Sequence, residues 1–285
     1  MHVVFSILHY QDLEVTHKCV QSILGLNNEK ISTVIVDNGS TNGSGKVLKK
    51  LYPLRTDIHV INNKDNLGFA KGNNIGFLYA KKILNADIII VINNDILVDK
   101  NFANNLLITA TQISDVHIIA PDIFTKDGTH QNPLRYEPMS VGQFLHHLFY
   151  NVILLIIMYI PLLNQGYLKF LSNYKRNKDY IQMVKTPQIT KNFVPHGAGV
   201  IFLPKYIAAE DIAFVPITFL FCEEDILFEY ASRKNYKIIF DNSLVLHHLV
   251  NVSMKGLTRT KVAHRKFIAR HKIKSLIAYG KYVFN

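Results

Sequence analysis

The first half of the chain alternates short apolar runs with amphipathic stretches. This alternation predicts strand–helix units, because each apolar run has the length of a strand and each amphipathic stretch can cover one face of a mostly parallel sheet. The predicted strands are Val3 to Leu8, Ser32 to Asp37, Asp57 to Asn62 and Asp87 to Asp95, and the predicted helices are Val15 to Leu26, one opened by the turn at Asn38 to Gly45, and Asn73 to Leu84. The last strand is apolar on both faces, as buried parallel strands are. We therefore expect an α/β fold.

The pattern changes after Asp122. Leu148 to Leu163 is apolar apart from Asn151 and, at 16 residues, is shorter than the roughly 20 residues that a helix needs to span a bilayer. We expect a buried helix, or a helix lying in the plane of a membrane, rather than a transmembrane helix. Strand-like runs at Val200 to Leu203 and Lys237 to Phe240 then enclose an acidic segment.

Positive charge is concentrated at the end of the chain. The sequence has 32 Lys and Arg residues against 21 Asp and Glu residues, a net charge of +11. Nine of the basic residues and none of the acidic ones fall between Asn251 and Asn285, interleaved with apolar residues at roughly helical spacing. Such a basic helix can lie on anionic lipid or pack on the domain by its apolar side, and the sequence leaves both open.

The two cysteines indicate the redox environment in which the protein works. Cys19 and Cys222 lie far apart, without the spacing of a metal site or a disulfide framework, which favours a reducing environment. The chain opens on an apolar, strand-like run without the features of a secretory signal. We therefore expect a cytoplasmic protein that works peripherally at the inner face of the membrane.

Polar clusters follow three of the predicted strands: Asp37 with Asn38, Asn66 to Asn74, and Asn93 to Asp95. In open α/β sheets ligands bind outside the carboxyl ends of the strands, so these clusters predict a nucleotide site built from loops. A carboxylate at Asp95 suits a hard divalent cation, whose other ligands would include phosphate oxygens. The same residues also suit an ordinary turn or a helix N-cap.

Three adjacent carboxylates, Glu223, Glu224 and Asp225, follow an aromatic apolar run. Their repulsion is expected to raise the pKa of at least one of them unless a cation lies near, and a general base needs such a raised pKa. An acidic first helical turn, favoured by the helix dipole, explains the triplet equally well. Two further features are the glycine turn at His196 and Gly197 and the imidazole of His248. They indicate a functional site only in combination with these carboxylates.

Six motifs occur in order along the chain: VDNGSTNGS, NLGFAKGNNIG, INNDI, HGAG, FLFCEEDIL and HHLVNVS. Together they resemble the successive motifs of family 2 glycosyltransferases, and most closely the bacterial rhamnosyltransferase-like members that build surface polysaccharides. The resemblance runs from Val3 to about Ser253. It implies a GT-A fold, a mostly parallel Rossmann-like sheet flanked by helices, with a helical insertion and a basic helical tail. The nucleotide-binding half would be about residues 1–125, the acceptor and catalytic half about 126–250, and the tail 251–285.

The resemblance also implies a reaction. A sugar, such as rhamnose, would pass with inversion from a dTDP- or UDP-sugar to a hydroxyl of a glycan or lipid-linked acceptor, with Mg²⁺ or Mn²⁺ as cofactor. Asp37 would contact the pyrimidine base, and the remaining donor-binding residues would be Asn38, Asn66, Gly68, Lys71, Asn74 and Asn94. Asp95 and His248 would hold the cation. The sequence departs from the family pattern at Asn93, where the first Asp of the metal motif usually stands.

Within the acidic triplet, the resemblance makes Glu224 the general base, with Glu223 and Asp225 beside it. Shifting the alignment by one residue would make Asp225 the base. His196 and Gly197 would bind the acceptor.

Two other classes of protein share some of these features. A nucleotidyltransferase acting on sugar phosphates would need a phosphate loop rich in glycine and basic residues after the first strand, where the sequence has LHYQD. A nucleic-acid-binding module would need basic residues interleaved with aromatic ones across a surface, whereas here the positive charge is mainly terminal. We therefore expect an enzyme that does not bind nucleic acid.

Overall fold

The computed structural model describes residues 1–173, 193–249 and 260–284. The strands are β1 (Val3–His9), β2 (Ile31–Asp37), β3 (Ile58–Asn62), β4 (Ile88–Asn93), β5 (Ile96–Val98), β6 (Ile118–Thr125), β7 (Gly199–Phe202) and β8 (Ile238–His248). The helices are α1 (Leu13–Leu24), α2 (Ser44–Leu51), α3 (Phe69–Lys82), α4 (Phe102–Gln112), α5 (Val141–Tyr159), α6 (Pro161–Asn173), α7 (Pro204–Ala209), α8 (Glu223–Arg233) and α9 (Lys261–Val283).

These strands form one sheet in the order β3-β2-β1-β4-β7-β6-β8-β5. The pairs among β1, β2, β3 and β4 are parallel, as is the pair β6 and β8, whereas β7 and β5 run antiparallel to their neighbours. The expected α/β fold with a mostly parallel first half is confirmed. The predicted boundary near residue 250 and the end of the HHLVNVS motif lie outside the described residues.

The sheet separates two apolar layers. Along β1, Val3, Phe5 and Ile7 pack in one layer with α1, α2 and α4, while Val4 packs in the other with α3, α7 and α8. This follows from the two-residue period of a strand, which sends successive side chains to opposite faces. Each large side chain buried in this way contributes about 1.5–3 kcal/mol relative to an exposed position. Covered on both faces, the sheet can present ligand groups only at its edges and strand ends.

The predicted apolar helix at 148–163 is two helices, α5 and α6, separated at Ile160 and Pro161. Proline cannot supply the amide that would continue α5, so the chain turns there. A largely buried helix was one of the two expected outcomes and is wrong, because the outer side of α5 is exposed, with Phe149 at 62% and Ile153 at 56%. By length and composition alone, α5 could cross a membrane.

The basic tail forms α9, as expected, and α9 is packed against the protein. Leu276 and Tyr279 are 2% and 1% exposed, and the Ser275 hydroxyl donates to the Leu220 carbonyl over 2.7 Å. Near the other end, Ala269 packs with Leu154 and Met158 of α5. The apolar side of α9 is therefore occupied by protein, and exposed cations such as Arg270 and Lys274 lie on the rest of its surface.

The packing of α9 predicts a large difference between two neighbouring side chains. Leu276→Ala should lower the free energy of unfolding by roughly 2–5 kcal/mol, because the truncation leaves a cavity under α9. Ile277→Ala is the matched control: Ile277 is 44% exposed, and its truncation should change stability by no more than about 0.5 kcal/mol. Denaturant unfolding followed by circular dichroism measures both. Equal effects of the two substitutions would contradict this packing.

Candidate active site

The ends of β1, β2 and β4 lie side by side at one edge of the sheet. His9 pairs with Asp37, and Leu8 pairs with Asn93, so the first and third predicted polar clusters begin at the same level. Because ligands bind where parallel strands end, this edge is the expected place for a nucleotide. The structure thus brings together residues that are more than 50 positions apart in the sequence.

Asp37 is fixed at this edge by the turn that follows it. Its side chain is 5% exposed, and Oδ1 accepts a hydrogen bond from the Ser40 amide over 3.1 Å. Oδ2 lies against Gly45 in the first turn of α2, where a Cβ atom would overlap it. Glycine at position 45 therefore allows the carboxylate to approach the amino end of a helix, where negative charge is favourable.

Asn38 organises the loop that leads into α3. Its Nδ2 donates to Asn66 Oδ1 and to the Gly68 carbonyl, each over 3.0 Å, while its Oδ1 accepts from the Leu67 amide over 3.1 Å. Gly68 has a φ of +81°, and a Cβ atom there would overlap the Phe219 carbonyl. These contacts shape the loop, and donor binding by Asn38, Asn66 and Gly68 stays a prediction.

Three other predicted donor-binding residues differ in how much of their polar surface the protein uses. Asn74 binds the 213–214 backbone through both ends of its amide, donating to the Phe214 carbonyl over 2.7 Å and accepting from two amides at 2.9 Å. Asn94 is buried and donates to Thr16 Oγ1 over 3.0 Å. Lys71 is exposed in the first turn of α3. Of the three, only Lys71 is exposed to solvent.

A buried polar chain that was not predicted links the two sides of this edge. Thr16 Oγ1 donates its single proton to the Asp12 carbonyl over 2.9 Å and is 2.6 Å from His9 Nδ1. His9 Nδ1 must therefore be the donor, which leaves Nε2 to accept from the Ser44 hydroxyl over 2.8 Å. Burial lowers the pKa of His9, in keeping with a neutral ring. His9 follows an apolar strand within LHYQD, and only that position, at a strand end, could have signalled it.

The two predicted metal ligands face each other across the β5–β8 pair. Asp95 Oδ1 is 3.2 Å from His248 Nε2, and His248 Nδ1 is 2.6 Å from Gln131 Oε1. If Nδ1–H donates to that oxygen, the Nε2 lone pair and the Asp95 carboxylate are neighbouring ligands for a cation between them, the arrangement that outer-shell partners give to metal-binding histidines. Among the described residues, no three or more His, Cys, Asp or Glu side chains group as a metal site. The pair fits a divalent cation whose other ligands come from substrate oxygens and water.

His196 and Gly197 lie between this pair and the acidic triplet. The His196 amide donates to Asn132 Oδ1 over 2.6 Å, and its Nδ1 accepts from the Ala198 amide over 3.1 Å. Burial, with His248 nearby, lowers the pKa of His196 to about 4. The ring is therefore neutral at pH 7 and carries its proton on Nε2. A Cβ atom at position 197 would lie 2.9 Å from Glu224 Oε1, so only glycine fits this approach without a shift.

The acidic triplet forms the first turn of α8 and is placed by an unusual backbone. Phe221 and Cys222, just before it, have φ values of +79° and +67°. This region is disfavoured for residues with a Cβ, and such strain concentrates at functional sites. Burial raises the pKa of Glu223 to about 8 and raises that of Glu224. The sequence predicted a raised pKa for at least one carboxylate of the triplet, and both of these pKa shifts agree with that prediction.

The three carboxylates have different neighbours. Glu223 Oε1 accepts from the Thr218 hydroxyl over 3.0 Å, and Glu223 is only 4% exposed. Asp225, at 6%, accepts from Arg135. Glu224 is partly exposed, with its Oε1 at Gly197. Of the triplet, Glu224 therefore has the position beside the predicted acceptor residues.

Arg135 was missed by the sequence analysis. Its guanidinium hydrogen-bonds Asp225, and its backbone pairs with Val194 in a short bridge that leads into the His196 turn. Burial raises the pKa of Asp225, and the adjacent guanidinium opposes this rise. The segment around Arg135 belongs to no motif, so the only available signal was that a buried Asp needs a cationic partner.

Comparison with known proteins identifies the family. Residues 6–172 match the model of glycosyl transferase family 2, and the chain belongs to that family. The low-salt glycan biosynthesis hexosyltransferase Agl10 of Haloferax volcanii is 31% identical over 109 residues, 38% of this chain and 33% of that protein. The glycosyltransferase GlyG of Streptococcus pneumoniae serotype 4 is 24% identical over 115 residues, 40% of this chain and 36% of that protein. The chain thus matches about a third of the length of these relatives.

Solved structures share the fold at low sequence identity. S. aureus TarS, residues 1–349, superposes with a TM-score of 0.54 at 13% identity, covering 99% of this chain and 72% of TarS. The mannosyltransferase PcManGT from Pyrobaculum calidifontis, in complex with GDP-Man and Mn²⁺, also gives 0.54 at 13% identity, covering 98% of this chain and 75% of that one. These likenesses support the GT-A architecture, and the predicted site residues rest on the geometry above.

The raised pKa of Glu223 predicts a pH dependence of stability. Because the folded state keeps its proton up to about pH 8 while the unfolded state loses it near pH 4.5, the folded state binds more protons in between, and stability falls as pH rises through this window. From pH 6 to pH 8 the loss should be roughly 2 kcal/mol, and Glu223→Gln should remove most of it. Denaturant unfolding in chelator at several pH values measures both.

The control for this experiment is Glu14→Gln. Glu14 is exposed, and its pKa is lowered by a hydrogen bond from Lys18, so it does not titrate between pH 6 and pH 8. The control should keep the pH dependence of the parent protein. The same slope in Glu223→Gln as in the parent would contradict a raised pKa at Glu223.

Proposed function

We propose that this chain transfers a sugar from a nucleotide-diphosphate donor to an acceptor hydroxyl by inverting single displacement, with Glu224 as the general base. The observation that carries the proposal is the position of Glu224. Its Oε1 lies at Gly197, next to neutral His196, while Glu223 and Asp225 are buried against Thr218 and Arg135. One carboxylate of the triplet is thus left to receive a proton from a bound acceptor.

The chain's own residues move the proton. Glu224 accepts the acceptor's hydroxyl proton as the oxygen attacks the anomeric carbon and the bond to the diphosphate breaks. Burial raises the pKa of Glu224, so its carboxylate is a stronger base than one in water. His196, whose Nδ1 is held by the Ala198 amide, has its Nε2–H free of that contact and donates to an oxygen of the acceptor.

Asp37 supports a pyrimidine nucleotide in the donor. A carboxylate at the ends of β1 and β2 can accept from the N3–H of uracil or thymine alike, which is why UDP- and dTDP-sugars are both proposed. TarS has been solved with UDP and PcManGT with GDP-Man, and these ligands support the class of nucleotide sugar. Rhamnose is the proposed sugar on the strength of the motif resemblance alone.

Asp95 and His248 would hold Mg²⁺ or Mn²⁺. When bound, the cation would offset the negative charge that develops on the leaving diphosphate. Gln131 holds the ring of His248, and exposed Lys71 at the start of α3 can add positive charge near the same phosphates. The Mn²⁺ in PcManGT supports the use of a divalent cation. Because Asn93 replaces the first Asp of the metal motif, substrate oxygens would have to complete the coordination of the cation.

We further propose that the reaction takes place at the cytoplasmic face of the membrane on a glycan or lipid-linked acceptor, in surface polysaccharide synthesis. The exposed apolar side of α5 and the cations of α9 support this location. A nucleotidyltransferase is less well supported, because Asp12 already caps α1 by accepting from the Val15 amide over 3.1 Å. A carboxylate at that helix end repels the phosphate that such an enzyme would bind there.

The proposed base is tested by Glu224→Gln. This change should lower kcat for transfer by about 100-fold or more and leave the affinity for nucleoside diphosphate nearly unchanged, because the carboxylate acts only in the chemical step. Glu229→Gln, farther along the same helix, is the control and should keep full activity. Turnover by Glu224→Gln close to that of the parent would remove Glu224 from the role.

Asp225→Asn separates the two alignments left open by the sequence. If Asp225 only positions its neighbours through Arg135, the variant should keep measurable activity with an altered pH profile. An inactive Asp225→Asn protein beside an active Glu224→Gln protein would make Asp225 the base.

The proposed cation site is tested by binding. Asp95→Asn and His248→Gln should each weaken Mn²⁺-dependent binding of UDP by about tenfold or more, since each removes one of two protein ligands. The control is His247→Gln, whose side chain is 51% exposed and faces Asp99 at 3.7 Å. Calorimetry with Mn²⁺ and with chelator measures the effect. Equal UDP affinity of the parent protein with and without chelator would show that no cation is needed.

A further inference from the structure

The outer sides of α5 and α6 carry a continuous set of exposed apolar residues. We call this set the α5–α6 face, and it consists of Leu145, Phe149, Val152, Ile153, Ile156, Leu162 and Leu163. Its members are 36–81% exposed, and those on α5 recur at the three- and four-residue spacing of one helical stripe. Single exposed apolar residues are ordinary on a protein surface, but a contiguous patch marks an interaction surface.

The inner side of α5 is packed along its whole length on α9. Near the start of α5, Phe144 contacts Tyr279 and Gly280 of α9. Near its end, Lys266 Nζ is 4.0 Å from the centre of the Tyr159 ring, and Arg270 hydrogen-bonds the same tyrosine. The two helices are therefore antiparallel neighbours, and α5 cannot move into a membrane without α9.

This pairing decides how α5 can meet a bilayer. Lys or Arg occurs in every part of α9, from Lys261 to Lys281, and α5, α6 and α9 contain no Asp or Glu. Each Lys or Arg at the centre of a bilayer costs at least about 2.5–3.5 kcal/mol. A transmembrane α5 would bring several of these cations with it, whereas α5 lying flat buries only its apolar stripe.

Cations and tyrosines border the α5–α6 face as they would at a lipid headgroup layer. Tyr159 contacts Lys266 and Arg270, and Arg265 lies 5.6 Å from the centre of the Tyr167 ring. Tyrosine is amphipathic and is enriched at membrane interfaces. Lys and Arg beside it attract anionic headgroups, each contributing about 1 kcal/mol near such a surface.

We propose that the α5–α6 face is a docking surface for an anionic lipid bilayer, on which α5 lies in the plane of the membrane. Two features together carry this choice of partner: an apolar stripe without acidic residues, and cations held at its border. The proposal deepens the membrane location given under the proposed function and rests on that function for its biological role. Lipid binding can nevertheless be measured whether or not the chain transfers a sugar.

The helix pair that carries the α5–α6 face also contacts the residues just before the acidic triplet. Ser275 of α9 donates to the Leu220 carbonyl over 2.7 Å, and Phe144 of α5 packs on Tyr279 of α9. The proposed docking surface and the proposed base therefore lie on connected elements.

The test is co-sedimentation of the full chain with vesicles of phosphatidylcholine alone or with 30 mol% phosphatidylglycerol, a composition chosen to be about as anionic as a cytoplasmic leaflet. We expect binding to the anionic vesicles at low salt, and about tenfold weaker but measurable binding at about 0.5 M salt, where the Debye length is only a few ångströms. Equal binding to neutral and anionic vesicles would overturn the role of the cations. Resistance to carbonate washing would overturn the in-plane orientation.

Two paired substitutions separate the apolar and charged contributions. Phe149→Ser with Ile153→Ser should lower vesicle binding by about tenfold or more at every salt concentration. Ile83→Ser is the matched control, because Ile83 is 61% exposed on the C-terminal cap of α3. Lys266→Gln with Arg270→Gln, which removes the two cations at Tyr159, should lower binding at low salt and reduce its salt dependence. Parent-like binding by the Phe149/Ile153 variant would overturn the proposal.

Two further measurements keep these results unambiguous. Melting temperature and UDP binding should be unchanged in the variants, which excludes misfolding, and donor hydrolysis in the absence of lipid should also be unchanged. A parent protein that binds vesicles without transferase activity would count against the proposed function alone. Sedimentation velocity detects a competing occupant: a parent dimer that ignores vesicles and dissociates when Phe149 and Ile153 are changed would make the face a contact between two copies of this chain.

Discussion

The crowding of three successive carboxylates at the start of α8, two of them almost fully buried, is the constraint on which the acidic site depends. Removing a charge from water is costly unless the protein supplies a proton, a hydrogen bond or an opposite charge. Each carboxylate is accommodated differently: Glu223 by a proton and the Thr218 hydroxyl, Asp225 by Arg135, and Glu224 by the approach of Gly197. This last arrangement requires the glycine turn, which β7 then anchors in the sheet.

The same constraint links distant parts of the chain. Arg135 reaches Asp225 because its backbone pairs with Val194, and that pairing places the following His196 turn beside Asp95 and His248. Asn94, next to Asp95, bonds Thr16, which bonds His9 at the end of β1. Polar contacts therefore connect Asn94 with the end of β1, and the Asp95–His248 pair follows directly in sequence and space; replacing a member of the buried His9–Thr16–Asn94 chain would leave a buried group unpaired.

The sequence predicted the parts of the molecule that depend on local pattern. The alternation of apolar runs located the first four strands to within about two residues at most ends, and the polar clusters after strands indicated the sheet edge that we propose binds the nucleotide. The sequence could not show that Asn38 and Asn74 also bond the surrounding backbone, because an asparagine that binds a ligand and one that binds a neighbouring backbone look the same in sequence. Arg135 and His9 were missed for a related reason: their importance comes from partners 90 and 35 residues away.

The helix pair α5 and α9 shows why composition alone was ambiguous. A stretch of apolar residues is equally compatible with a buried core helix, a transmembrane helix or a helix at an interface. The element that packs against it distinguishes these structures. Here that neighbour is α9, which occupies the inner side of α5 and brings Lys266 to the Tyr159 ring at the end of α5. Because α9 also packs on α8, with Arg233 of α8 donating to the Tyr282 carbonyl over 2.8 Å, α5 and the helix that begins with the acidic triplet share a common neighbour. The exposed apolar side of α5 and the acidic turn of α8 are therefore coupled through α9, which contacts the elements that carry both.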